Sequence, residues 1–295
     1  MNHATIAENF SNGATSGKGF NMYIENDKMF SYGSHYVLAK RFNDGVFLLN
    51  GDRYSVSTSK HQSHTRRACY GPTTSFTALQ NAGIDIDDMQ IIAHSDDKLD
   101  TLHNCNPESI KAFRNTIPMG ATISYQKDKE TGKIEQISYH LAGSSLIKAN
   151  DSHYICGMDE MSYFVSQLPH GCHSVEAAYQ MLKPKLVHTI ETENPETIVQ
   201  RQGEWFFYPV PKGAIKQHAI KKKDFNKNIA LPTTDSQSNL HTVTRILPVM
   251  SNDKDLFYCF GTVRHPQHKM LKLGNVIHLA ICNTAVNNWS VDGVD

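Results

Sequence analysis

Short β-prone runs recur along the whole chain, each closed by turn residues, and only brief stretches between them carry helical spacing. That pattern constrains the fold most, because strands of this length are stable only when several pair into a sheet. Strand-like runs occupy residues 35–42, 45–50, 53–57, 89–94, 153–156, 162–168, 242–250, 255–263 and 275–283. Asn50-Gly51-Asp52 between two of them reads as a hairpin turn, since Asn-Gly tolerates the positive φ of a two-residue turn. Residues 120–142 read as a second hairpin, with Thr122, Ile123, Tyr125 and Ile134, Ile137, Tyr139 on either side of the turn-prone residues 127–132. Residues 200–211 carry Trp205, Phe206, Phe207 and Tyr208 before Pro-Val-Pro, which reads as a buried strand leaving its sheet at an edge. Helices are expected from a cap at Thr58 or Ser59 to Cys69, over 107–115 with Pro107 in the first turn, and from Ser174 to about Leu182. The fold class that follows is α+β, mainly antiparallel sheets with a few short helices.

The 295 residues, 39% of them apolar, suffice for one large domain or two ordinary ones. Residues 1–18, rich in Asn, Ser, Gly, Ala and Thr, read as a flexible arm, with order expected from about Phe20. The aperiodic stretch 143–152 is expected to part an N-terminal α+β domain (19–145) from a C-terminal, mostly β domain (150–295). Within the latter the polar residues 216–240 read as a mobile loop. No signal-peptide run and no long apolar stretch is present, so a cytoplasmic protein without membrane contact is expected. Six dispersed cysteines with no Cys-x-x-Cys pair argue against a disulfide scaffold or a thiolate zinc ribbon. Basic and acidic residues balance at 29 each, so contact with nucleic acid must rest on a local patch rather than on net charge.

Histidine is abundant, 16 in all, and two groups of them sit among cations. On a helix, Lys60, His64 and Arg67 share one face and His61 lies on the adjoining one. Such a ridge suits a phosphate: Lys60 and Arg67 neutralise charge while His61 or His64 does acid–base work, or it is simply a solvated helix face. The second group is Arg264-His265-Pro266-Gln267-His268-Lys269, expected at a tight turn at one end of a sheet. Here His265 and His268 are the catalytic candidates, and Arg264 and Lys269 the phosphate-binding ones. His-x-x-His supplies only two of the three or four ligands that zinc needs, so no metal is assigned and the cofactor stays open. The Gln202-Gly203 step reads as a bulge or turn with Arg201 and Glu204 able to pair across it, and Trp205 as core rather than a base-stacking platform. His170-Gly171-Cys172-His173, His103-Asn104-Cys105, Asp159-Glu160 and His94-Ser95-Asp96-Asp97 are weaker ligand sets. Phosphate-loop, dinucleotide, serine-hydrolase and zincin motifs are absent from the sequence.

Cys156-Gly157-Met158-Asp159-Glu160, Arg201-Gln202-Gly203-Glu204-Trp205-Phe206-Phe207 and Gly261-Thr262-Val263-Arg264-His265-Pro266-Gln267-His268 resemble segments of uncharacterised prokaryotic and bacteriophage proteins, as does residues 54–62. The resemblance carries no activity or site residue; it implies a source class among which virion components, host-takeover factors and nucleic-acid-processing proteins are common. Three readings follow. The first is a phage- or mobile-element-type binding or assembly protein whose local His/Lys/Arg site takes a phosphate-bearing ligand or nucleic acid. The second is a metal-independent, histidine-based phosphodiesterase or RNase. The third is a structural, self-assembling subunit, and a homo-oligomer is compatible with each.

Overall fold

The computed structural model of the protein describes residues 1–42, 44–96, 98–103, 105–116, 122–127, 134–141, 143–159, 162–194, 197, 199–217, 220–232, 240–249, 256–266, 268–283 and 289–291. The architecture is α+β with mostly antiparallel sheets. The chain divides into two compact units, Met1–Tyr179 with Asn288–Asp295, and Gln180–Asn287.

The first unit begins with a six-stranded sheet in sequence order: Ser16–Gly19, Met22–Glu25, Lys28–Ser31, Val37–Arg41, Phe47–Asn50 and Thr73–Thr74. Two helices, His3–Ser11 and Val56–Ala68, belong with it. The first of these replaces the expected arm. Asn2 caps it by accepting from the Thr5 amide at 2.8 Å, and Ile6, Ala7 and Phe10 are buried with Met22, Ile24, Met29 and Leu38. Nine residues with three apolar anchors give little periodic signal, so tertiary burial decides the conformation. The helix Val56–Ala68 is capped one turn earlier than expected, by Ser55, whose Oγ accepts from the Thr58 amide at 3.1 Å. Its inward face is polar: Thr58, His61, Gln62 and Thr65 are buried. Hydrogen bonds hold that face, Gln62 Nε2 lying within 3.0 Å of Tyr36 Oη, Asn50 O and Asp52 O. Asn50-Gly51-Asp52 is not a hairpin turn, because the strand Phe47–Asn50 pairs in parallel with Thr73–Thr74 and residues 53–57 lead into the helix.

A five-stranded antiparallel sheet follows, in the order Trp289–Val291, Ser162–Gln167, Ser152–Asp159, Ser145–Ala149, Gln90–His94. The expected boundary at 143–152 falls inside it. Ser145–Ala149 is an interior, buried strand, and Asn150 and Asp151, at φ 49° and 62°, make the tight turn into the next one. A strand covered on both faces shows no alternation, which is why this run looked aperiodic. A three-stranded sheet, Lys98–His103, Ile134–Leu141 and Thr122–Lys127, accompanies the helix Pro107–Thr116.

The second unit is built on a six-stranded antiparallel sheet, Gln200–Gln202, Trp205–Pro209, His268–Cys282, Leu256–His265, Thr242–Pro248 and Asn226–Ala230. Trp205–Pro209 is an interior strand rather than an edge, and Trp205 is fully buried with Phe207, Val243, Cys259 and Ala280. Of the expected loop 216–240, the helix Lys212–Gln217 reaches into its start, and Lys222–Asp224 and Asn226–Ala230 form a 3-10 turn and a strand, while 218–219 and 233–239 lie outside the described residues. Trp205 pairs with Cys282 at one end of the long strand, yet Gln202, opposite Trp205 across a two-residue turn, donates from Nε2 to Lys269 O at 2.6 Å near the other end. A straight strand would hold residues 269 and 282 roughly 40 Å apart. The hairpin therefore bends back on itself, and its bend lies where Gly261 and Gly274 pair, both at positive φ (98° and 66°) amid register shifts.

Candidate functional site

The expected site residues fall into two groups, one in each unit. In the first unit His61 is buried and its Nδ1 lies 2.7 Å from Ser31 Oγ. A residue absent from the sequence reading joins it: the ring of His3 lies 4.4 Å from that of His61 and 5.9 Å from that of His64, centroid to centroid. His3 sits at the start of the first helix, where a chain read as an arm offered no partner. Burial, and then the neighbouring His3 and His64, push the His61 pKa down to about 4. The pKa of His3 is lowered by burial and by His64. Lys60, Arg66 and Arg67 are exposed on the same helix.

Two exposed aromatic residues flank the imidazoles. Phe20, 78% exposed, has its ring 5.9 Å from His3, and Tyr32, 52% exposed, has its ring 5.4 Å from His61. Both adopt positive φ, 43° and 64°. Phe20 is the first residue of the two-residue turn closed by Gly19 and Met22, a place where glycine is usual. An L-residue there costs about 1–2 kcal/mol, of which the ring's small covered area returns only part. The sequence held a signal, Gly19-Phe20-Asn21, but an aromatic at a turn tip looks like the beginning of a strand.

In the second unit His265 and His268 are the last cross-strand pair of the bent hairpin. Thr242 pairs with Arg264, so the preceding residue, His241, meets His265 in register, and the Leu231 amide holds it there by donating to its carbonyl at 2.7 Å. The rings of His241 and His265 stack at 4.3 Å, those of His265 and His268 lie 4.7 Å apart, and those of His241 and His268 5.6 Å. One nitrogen from each lies within 4.8 Å of the others, and among the described residues this is the group of three whose spacing suits a metal ion. His241 is buried; burial, and then His265 and His268, push its pKa down to about 2, so its imidazole is neutral. Neither ring nitrogen of His241 has a hydrogen-bond partner, although Glu204 Oε1 stands 3.6 Å from Nδ1. Burial raises the Glu204 pKa above the usual carboxylate range, against the pull of His268 and Arg201.

The hairpin bend brings Gly203 beneath these rings. A Cβ on Gly203, which has φ +57°, would lie 3.1 Å from His241 Nε2 and 3.2 Å from His268 Nε2. Arg201 Nε donates to Gly203 O at 2.7 Å and fixes this turn. Arg264 and Lys269 are exposed beside the histidines. The sequence offers little signal for His241, which stands alone, two dozen residues before His265, beside a polar stretch. Of the weaker ligand sets, Asp97, Asn104 and Glu160 lie outside the described residues. Among the described residues no helix is long and apolar enough to cross a membrane. No family model, curated protein or solved structure matches the chain.

Proposed function

We propose that the protein is a nucleic-acid-binding protein whose first unit takes a single strand. Phe20 and Tyr32 stack bases, while Lys60, His64 and Arg67 contact phosphates. The observation that carries this reading is the pair of exposed aromatics held at positive φ beside imidazoles and cations. Backbone strain at a largely exposed ring has little packing return, and such outliers concentrate where a side chain must be presented to a ligand. Aromatic faces with neighbouring cations are the means by which proteins hold single strands without reading their sequence. The chain's net charge of zero makes the patch local, so a short site of a few nucleotides is expected.

Fluorescence anisotropy with labelled single-stranded RNA, single-stranded DNA and duplex DNA tests it. Single strands should bind more tightly than duplex, and Arg67→Ala should weaken binding and reduce the salt slope by about 0.7. Equal affinity of the wild type, Phe20→Ala and Arg67→Ala would remove the proposal.

The second reading is a metal-independent phosphodiesterase, favoured by the contact between the three imidazoles. His64, half-buried, is the member open to a substrate, whereas His61 is enclosed. Strand cleavage that survives EDTA and is lost in His64→Ala would put this reading first. A structural subunit would show neither binding nor cleavage, and would have a multimeric mass in solution.

A further inference from the structure

We propose that His241, His265 and His268 bind one divalent transition-metal ion of the zinc class, leaving one coordination position open. The reading is independent of the nucleic-acid surface, which lies in the other unit.

Three observations carry it. First, the three donor nitrogens lie within 4.8 Å of one another, and tetrahedral zinc at about 2.0–2.1 Å from each nitrogen requires about 3.3 Å between them. Less than 1 Å of movement by each ring closes the difference, within the reach of small side-chain rotations. Second, His241 is buried with both ring nitrogens unpaired, an expensive condition that native interiors avoid. An ion at Nε2 relieves it, and Glu204 Oε1, 3.6 Å from Nδ1, then accepts from the opposite side of the ring in the carboxylate–histidine–metal arrangement. Third, Gly203 leaves open the space toward which the Nε2 atoms of His241 and His268 converge, and a single methyl group would occupy it.

Three imidazole donors select zinc, copper, nickel or cobalt over magnesium or calcium, which take oxygen. Three protein ligands with an open fourth position match the pattern of reactive rather than purely structural zinc. The fourth position takes water or an anionic oxygen, and the exposed cations Arg264 and Lys269 favour the latter.

The test uses the full chain without a polyhistidine tag. After EDTA treatment and its removal, zinc is added in competition with a chromogenic chelator, and the metal content is counted by mass spectrometry. One zinc per chain is expected, and cobalt in its place should give the visible bands of a tetrahedral nitrogen site. His241→Ala and His268→Ala should each weaken binding at least 100-fold, Glu204→Gln about 10- to 100-fold, and Gly203→Ala at least 10-fold, while His61→Ala keeps wild-type affinity. Less than stoichiometric zinc in the wild type, an octahedral cobalt spectrum, or unchanged affinity in folded His241→Ala would overturn the proposal. Should the histidine variants fail to fold, the wild-type stoichiometry and cobalt spectrum decide alone.

Discussion

Phe20 offers a perturbation in which stability and binding should part company. Its ring is 78% exposed, so about 40 Å² of an aromatic side chain's roughly 200 Å² is covered, worth about 1 kcal/mol at 25 cal/mol per Å². Phe20→Ala and Phe20→Gly both lose that contact. The backbone, however, treats them differently: Ala retains the cost of about 1–2 kcal/mol at φ 43°, whereas Gly sheds it and gives back about 0.5–1 kcal/mol through its freer unfolded chain. Phe20→Gly should therefore be more stable than Phe20→Ala by about 0.5–1 kcal/mol and close to the wild type. For a unit of this size that is about 1–4 °C in melting temperature. Affinity for a single strand should fall equally in both, by about 5- to 150-fold if one base stacks on the ring at about 1–3 kcal/mol. Thermal melts and anisotropy on the same preparations read the two effects. Equal stabilities of the Gly and Ala variants would refute the strain, and undiminished affinity in either would refute the platform.

Burial, with His3 and His64 close by, holds His61 neutral down to about pH 4, while an unfolded chain protonates it near 6.5. The unfolded state binds the extra proton between those values, so stability should fall as pH drops from 6.5 toward 4. Urea midpoints across that range read the slope, which His61→Asn should reduce while keeping a partner for Ser31 Oγ; a flat wild-type profile would count against it. Phe10 is fully buried, 5.5 Å from the Phe47 ring and under the Arg41 guanidinium, so Phe10→Ala should cost about 3–5 kcal/mol by denaturant titration. A change below about 1 kcal/mol would mean the first helix is not docked. Gln62→Leu strips a donor from Tyr36 Oη and two carbonyls and should cost about 1–3 kcal/mol.

The segments legible in the sequence are those whose pairing is local. Thr122–Lys127 with Ile134–Leu141, the helix Pro107–Thr116 behind its proline, and the strands Thr242–Pro248 and Leu256–His265 lie close to their expected bounds, while the last strand of that hairpin, expected over 275–283, begins seven residues earlier at His268. Each has alternation, or a cap, or a turn inside its own stretch of chain. What failed depends on distant partners. The first helix is stabilised by the sheet it covers, Ser145–Ala149 by burial on both sides, and the hairpin expected at Asn50-Gly51-Asp52 gives way to a parallel neighbour more than twenty residues onward. The site divides in the same way. His265 and His268 declare themselves by spacing, whereas His241 arrives through the pairing of Thr242 with Arg264, and Gly203 and Glu204 through the bend at Gly261 and Gly274, both tertiary events. Spacing alone puts Lys60, His64 and Arg67 on one helix face, but the enclosure of His61 requires His3 and Ser31.

The strand Trp289–Val291 belongs to the first unit's five-stranded sheet, yet the entire second unit precedes it in the chain. Its partner, Ser162–Gln167, is otherwise the sheet's outermost strand. At about 5–20 residues per second on the ribosome, roughly 6–25 s separate the synthesis of the two. Throughout that interval a row of amide and carbonyl groups beside a finished neighbour is open to any extended segment, including that of another nascent copy. A message truncated shortly before codon 289 would make the interval permanent. Such chains would carry both histidine groups intact and still be expected to pellet rather than to remain in the supernatant.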